Sequence, residues 1–254
     1  MDGDVSMSWF ADQRPETALI ARICRACVGT LPITGAAVSV MTSAGHQGTV
    51  TATDEVAAMI EDLHFGLGEG PAVAAFHGRQ AVIVRDLDST PNAATWPAFT
   101  PAALDLGVRS IAAFPLLIGA ADLGVLVTHG DEPTDFDLQQ RTEALRLADA
   151  ASLALLDLMG GARPFGVADP DSMDGPSPDG HSPDGHSPDG HVDVAGFFRV
   201  EVYQAAGMIM VQLGVTIEEA MVRLRAHAFA NDVSVRAVSR AVVRRELVMG
   251  ADND

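Results

Sequence analysis

Between residues 161 and 194 the chain reads GARPFGVADPDSMDGPSPDGHSPDGHSPDGHVDV, and SPDGH occurs there three times in tandem, at Ser177–His181, Ser182–His186 and Ser187–His191. A stretch with so few large apolar side chains cannot bury enough surface to offset the entropy of ordering it. It therefore divides the chain into two parts that must each build a core. The expected organisation is a flexible start at 1–13, a domain at 14–160, a disordered linker at 161–195, a small domain at 196–250 and a tail at 251–254. Each repeat carries a Pro-Asp-Gly turn signal, so a semi-extended tether is expected. Three His at five-residue spacing offer weak metal binding and the Ser-Pro pairs offer phosphate acceptors. A repeat-expanded spacer is the plainer reading, and no metal site is assigned.

Charge divides the chain at the same place. The formal net charge is −18, yet residues 196–254 hold seven Arg and seven acidic residues, while residues 1–195 hold nine Arg against 27 acids. Lys is absent, so the positions of the arginines, not a preference for Arg, carry information. No run of apolar residues approaches the length of a membrane-spanning helix, and Met1–Phe10 lacks a basic stretch followed by an apolar one. A cytoplasmic location without membrane association is expected. Cys24 and Cys27 are the only cysteines. A zinc site needs two further ligands, so the pair reads as two small buried hydrophobes in a reducing compartment.

In the larger part, helices are expected at Pro15–Thr30, Asp54–Phe65, Trp96–Leu106 and Asp137–Met159. Strands are expected at Ala36–Met41, Thr49–Thr53 and Ala81–Leu87, followed by a hairpin of Arg109–Ile118 and Leu123–His129. Consecutive strands of this kind predict a mainly antiparallel sheet with helices beside it. The last helix has two apolar faces, one of Leu145, Ala148, Ser152, Leu155 and Met159, the other of Leu147, Ala151, Ala154 and Leu158. One face is expected on the sheet, leaving Leu145, Ala148, Leu155 and Met159 for a second copy; the alternative buries both within one chain. Gly66, Gly68 and Gly70 form no phosphate loop, since no Gly-Lys-Ser/Thr follows. His46, His64, His77 and His129 have no metal-ligand spacing and are expected as surface or ordinary core residues.

Gly68-Glu69-Gly70-Pro71, the strand Ala81–Leu87, Trp96-Pro97-Ala98-Phe99 and Gly107-Val108-Arg109-Ser110 leading to Phe114-Pro115-Leu116 together resemble the GAF domains of bacterial regulators, over roughly residues 16–158. The resemblance implies an antiparallel sheet flanked by helices, dimerisation through the terminal helices and a pocket for a small-molecule ligand beside the sheet. No cofactor is assigned. Many relatives read GEGPC; here Ala72 follows Pro71, which removes a thiol. The few GAF proteins that reduce methionine sulfoxide depend on several cysteines, and none follows Cys27. No enzyme is expected.

The small part predicts three helices. The first, from Phe197, stops at Gly214; Thr216 and Glu219 form a capping box for a second running to about Ala230; Ser234 caps a third. In the third, Val235, Val238 and Val242 point inward. Arg236, Arg240 and Arg244, each advancing about 40° on the helix, share the outer face. Arg223 and His227 form a second polar pair with Arg225 nearby. Such a bundle is also the skeleton of helix-turn-helix DNA readers, and spacing alone does not choose between nucleic acids. The alternative is that these arginines solvate outer faces and pair with Glu218, Glu219 or Glu246.

Tyr203-Gln204-Ala205-Ala206-Gly207-Met208, Gln212-Leu213-Gly214-Val215, Glu219-Ala220, Leu224-Arg225-Ala226-His227-Ala228 and the Val- and Arg-rich last helix are similar to the ANTAR domain. The resemblance implies an RNA-binding module that acts as a dimer on tandem stem-loops in nascent transcripts and prevents a terminator hairpin from forming. It places Gln204, Ala205, Gly207, Arg223, Arg225, Arg236, Arg240 and Arg244 at or beneath the RNA-facing surface. Many members have Lys where this chain has Ala206. Tyr203 and Phe229 are stacking candidates for RNA bases, with core packing as the default for both. The expectation is thus an α+β protein, a GAF-like sensor and dimerisation domain joined to an all-α ANTAR-like bundle, acting as a homodimeric, signal-responsive regulator of transcription antitermination. A sensor-coupled DNA-binding regulator and a protein-interaction dimer are the alternatives.

Overall fold

The computed structural model describes residues 17–42, 47–160, 200–231 and 233–250. The SPDGH repeats, residues 1–13 and residues 251–254, for which a tether, a flexible start and a tail are expected, lie outside the described residues, as does His46. Helix α1 spans Ala18–Thr30, strands β1 and β2 span Gly35–Met41 and Gln47–Ala52, and helices α2 and α3 span Glu55–Leu67 and Pro71–Gly78. Strand β3 (Val82–Val84), helices α4 (Thr90–Thr95) and α5 (Phe99–Asp105), strands β4 (Ser110–Ile118) and β5 (Ala121–Gly130) and helix α6 (Leu138–Gly160) follow. The C-terminal part is α7 (Val200–Leu213), α8 (Ile217–Ala230) and α9 (Val235–Val243).

The five strands form one antiparallel sheet in the order β2-β1-β5-β4-β3. Alternate residues of each strand serve opposite faces, as the pleat requires. Ala36, Val38, Val40, Phe114, Leu116 and Leu126 meet α1 and α6, whereas Ile111, Ala113, Val125 and Val127 meet α2, α3 and α5. Covering on both faces explains why every residue of β1 is buried. Cys24 and Cys27 lie wholly inside the first of these cores. Burial pushes the Cys24 thiol upward and the Cys27 thiol to about 12, as expected for inert, uncharged side chains.

The sequence reading of α6 needs correction. Ala148, Ser152 and Leu155 are buried, and so are Leu147, Ala151, Ala154 and Leu158. Both apolar faces are used within the chain, because α1 lies alongside α6 while β4 and β5 pass beneath it. Ala148 and Leu155 are therefore core residues, with Met159 packed partly buried against them. Leu145 is 51% exposed and shares its outward row with Leu138 and Leu156.

Two short helices, α3 and α4, stand where only turns and loop are expected, and the expected helix from Trp96 begins at Phe99. Among the described residues no single helix is long and apolar enough to cross a membrane.

Candidate nucleic-acid interface

Helices α7, α8 and α9 close around a third core of Val202, Ala205, Ala206, Ile209, Ala220, Leu224, Val235, Val238 and Val242. The helix ends form as their residues dictate. Thr216 Oγ accepts from the Glu219 backbone N–H at 3.2 Å and the Glu219 carboxylate accepts from the Thr216 backbone N–H at 3.1 Å. Ser234 Oγ accepts from the Ala237 backbone N–H at 3.1 Å. With its valines buried, α9 presents Arg236, Arg240 and Arg244 to solvent. Arg244 is the C-cap residue, so the row runs off the helix end.

The row is partly neutralised from α7, not by the acidic residues expected. Glu201 Oε2 lies 3.7 Å from Arg236 Nε and 3.1 Å from Arg240 Nε. All three side chains are about half exposed, so the contact is a solvated, exchangeable one. Arg244 has no ion pair among the described residues.

Gln204, one turn of α7 after the Glu201 that meets the row, edges with Gly207 an open groove of about 560 Å³ between α7 and the segment after α9. Met208, Val211, Val242 and Val248 make its walls apolar and Arg245 stands at its rim. Ala205 and Ala206 do not reach it; both are fully buried, so α7 can approach its neighbours closely. Position 206 is interior in this chain. Phe229, expected in the core, is 69% exposed. Tyr203 is half-buried and meets Phe65 edge to face at 6.4 Å. Arg223 is half-buried on α8.

Arg225 points elsewhere. Its Nε donates to the Phe65 backbone carbonyl at 3.0 Å and its guanidinium lies 5.7 Å from the centre of the Phe65 ring. Phe65, in the last turns of α2, is a member of the C-terminal core and only 1% exposed. Gly66 adjoins Val235 across the same junction, and a Cβ on Gly68 would come within 3.0 Å of Arg225 Nη1.

A second constellation lies on the other flank of α2. Ser39 Oγ donates to Glu61 Oε2, and His64 Nδ1 stands 3.5 Å from Glu61 Oε1, with all three residues buried. The Ala72 backbone N–H donates to His64 Nε2 at 3.3 Å. In a neutral ring, an accepting Nε2 leaves the proton on Nδ1, facing the carboxylate. His64 stacks on Phe99 with centroids 4.5 Å apart. Gly70 makes this possible: its φ is 116°, and a Cβ there would approach His64 Cδ2 to 2.7 Å and Phe99 Cδ2 to 2.9 Å. Glu69 accepts from the backbone N–H groups of Ala98 and Phe99, each at 2.8 Å, capping α5.

Asp54 caps the start of α2, accepting from the Ala57 backbone N–H at 2.8 Å and from Thr53 Oγ at 2.7 Å, with His129 Nε2 at 3.3 Å from its carboxylate. Burial acts to raise its pKa, but these contacts outweigh it and hold the carboxyl at about 2. Ser39, Glu61 and Phe65 carry no signal of their own in the sequence, and His64 and His129 carry none beyond that of ordinary histidines; apart from Glu61 with His64, the contacts that single them out join residues distant in the chain. No cluster of three metal-ligating side chains exists among the described residues.

Residues 13–156 match the model of the GAF domain, and residues 198–243 match that of the ANTAR domain. No curated protein matches the chain. Among solved structures, the chain is similar to a type II free methionine-R-sulfoxide reductase from Thermoplasma acidophilum (15% identity, 56% of this chain and 93% of that one, TM-score 0.45). It is also similar to a GAF domain/HD domain protein from Geobacter sulfurreducens (14%, 56% and 93%, TM-score 0.44). A third similar structure is the GAF domain of a two-component sensor histidine kinase from Bacillus halodurans (14%, 56% and 96%, TM-score 0.42).

Proposed function

Since the chain belongs to the GAF domain family and carries an ANTAR domain behind it, we propose that this regulatory protein binds stem-loops in nascent RNA and thereby controls transcription termination. The observation that carries the reading is the exposed row of Arg236, Arg240 and Arg244 together with the groove edged by Gln204 and Gly207. A row of guanidinium groups takes a phosphate backbone, and an apolar slot takes an unstacked loop base; RNA hairpins offer both together. Ala205 acts from beneath, by letting helices approach, and Arg223 on α8 adds a further guanidinium. The role is one of binding, not of catalysis.

Paired stem-loops call for two copies of the module. The outward leucines Leu138, Leu145 and Leu156 on α6 supply an apolar row for a homodimer, and the GAF half, with the polar centre under α2, receives the signal. The protein acts in the cytoplasm, where transcripts emerge. The test is titration of the full chain with a labelled tandem-hairpin RNA and with duplex DNA of equal length, at several salt concentrations. RNA is expected to bind more tightly. Replacing all three arginines of the row by Ala should lower the slope of log affinity against log salt by about two. Equal binding of DNA sinks the RNA assignment, and an unchanged slope sinks the row.

A further inference from the structure

Arg225 and Phe65 join the two domains, and the junction is placed where it can govern RNA binding. Phe65 directly follows His64 and lies one helical turn beyond Glu61. Thus the buried centre of Ser39, Glu61 and His64 and the anchor of the ANTAR bundle occupy the same turns of α2. The anchor is substantial: an aromatic ring enclosed in the bundle core, a charged donor on a helix-end carbonyl, and a guanidinium over that ring. With its Nε on the Phe65 carbonyl and its Nη1 packed against Gly68, that guanidinium has fewer donors to offer a phosphate. Docking also holds the bundle against residues 17–160, which carry 16 acidic residues and seven Arg and whose field opposes a polyanion.

We infer that docking of the ANTAR bundle on the last turns of α2 is an autoinhibitory clasp, in which Phe65 and Arg225 are the catch and displacement of α2 by a signal in the GAF half opens it. The inference rests on the RNA-binding reading above. Signal transfer then runs through a direct contact between folded surfaces and does not depend on residues 161–199. The arginine row and the groove stay exposed in the clasped form, so the clasp weakens RNA binding through Arg225 and the acidic field without abolishing it. A protein that is competent only when open has its apparent affinity reduced by the open fraction.

A cross-link tests this in the full chain. A Cβ at Gly66 lies 3.8 Å from Val235 Cγ2, so thiols at the two positions face each other across the junction and a small backbone shift brings them to disulfide geometry. Cys24 and Cys27 are buried and compete poorly for oxidant. The Gly66→Cys, Val235→Cys chain, oxidised and then reduced, is titrated with a fluorescent tandem-hairpin RNA carrying randomised loops, alongside Phe65→Ala. Oxidation should weaken binding by roughly tenfold, reductant should restore it, and Phe65→Ala should bind at least as tightly as the reduced form. Equal binding by the oxidised and reduced forms overturns the clasp, and so does weaker binding by Phe65→Ala than by the reduced form. Binding by every form alike leaves RNA recognition standing and removes only the clasp; binding by none removes both. Should Phe65→Ala fail to fold, the cross-link, closed and opened in one preparation, decides alone.

Discussion

Asp54→Asn isolates the charge that starts α2, because Asn keeps the shape and much of the capping ability of Asp. The carboxyl is held at about 2 against an ordinary 3.8, a gap that corresponds to roughly 2.5 kcal/mol at about 1.4 kcal/mol per unit. The side chain is 34% exposed, so water screens its partners, and a net value of about 1 kcal/mol is the reasonable expectation. The sign follows from linkage. A depressed carboxyl contributes its full stability above the unfolded value near 3.8, and that contribution is lost as pH falls toward 2. Urea unfolding of both proteins should show Asp54→Asn weaker by about 1 kcal/mol at pH 7, with the gap unchanged at pH 5 and shrinking below pH 4. A gap of the same size at pH 7 and pH 3 refutes the argument, since the stabilising group would then not be a titrating carboxylate.

Three further outcomes are expected. Glu201→Gln releases Arg236 and Arg240 from their shared partner and should tighten RNA binding about two- to threefold, with stability changed by less than ~0.5 kcal/mol; fluorescence anisotropy and thermal melting measure the two. Gly70→Ala forces a Cβ onto His64 and Phe99 at a backbone angle that disfavours it, and should cost about 2–3 kcal/mol in chemical denaturation. Leu145→Asp with Leu156→Asp should convert a sedimenting dimer to a monomer; persistence of the dimer at the same concentration places the interface elsewhere.

What the sequence reveals follows how local each cause is. The strands and long helices emerge because alternation and helical periodicity are written within ten or twenty residues, and the caps at Thr216 and Ser234 are written within four. α3 is hidden because it opens on Gly70-Pro71, residues that also announce a turn, and Pro71 sits at the first helical position where its missing N–H costs nothing. Leu155 looks available to a partner only until α1 is known to lie beside α6. Arg225 looks like a phosphate contact because its true acceptor, the Phe65 carbonyl, is 160 residues away in the chain. Glu61 carries no signal at all: an acid on a helix is ordinarily solvated, and only the fold turns it inward onto Ser39.

The loop Gly68–Pro71 fastens three helices to one another: Glu69 grips the start of α5, Gly70 lets His64 of α2 lie flat on Phe99 of α5, and the Ala72 N–H of α3 reaches His64. Helices tied at such points behave as a single plate laid over one side of the sheet. An object wedged between plate and sheet tilts the whole plate instead of bending one helix, and a tilt magnifies displacement with distance from its pivot. The end of α2 lies at these ties, so any tilt of the plate is carried directly to Phe65 and to the bundle that encloses it.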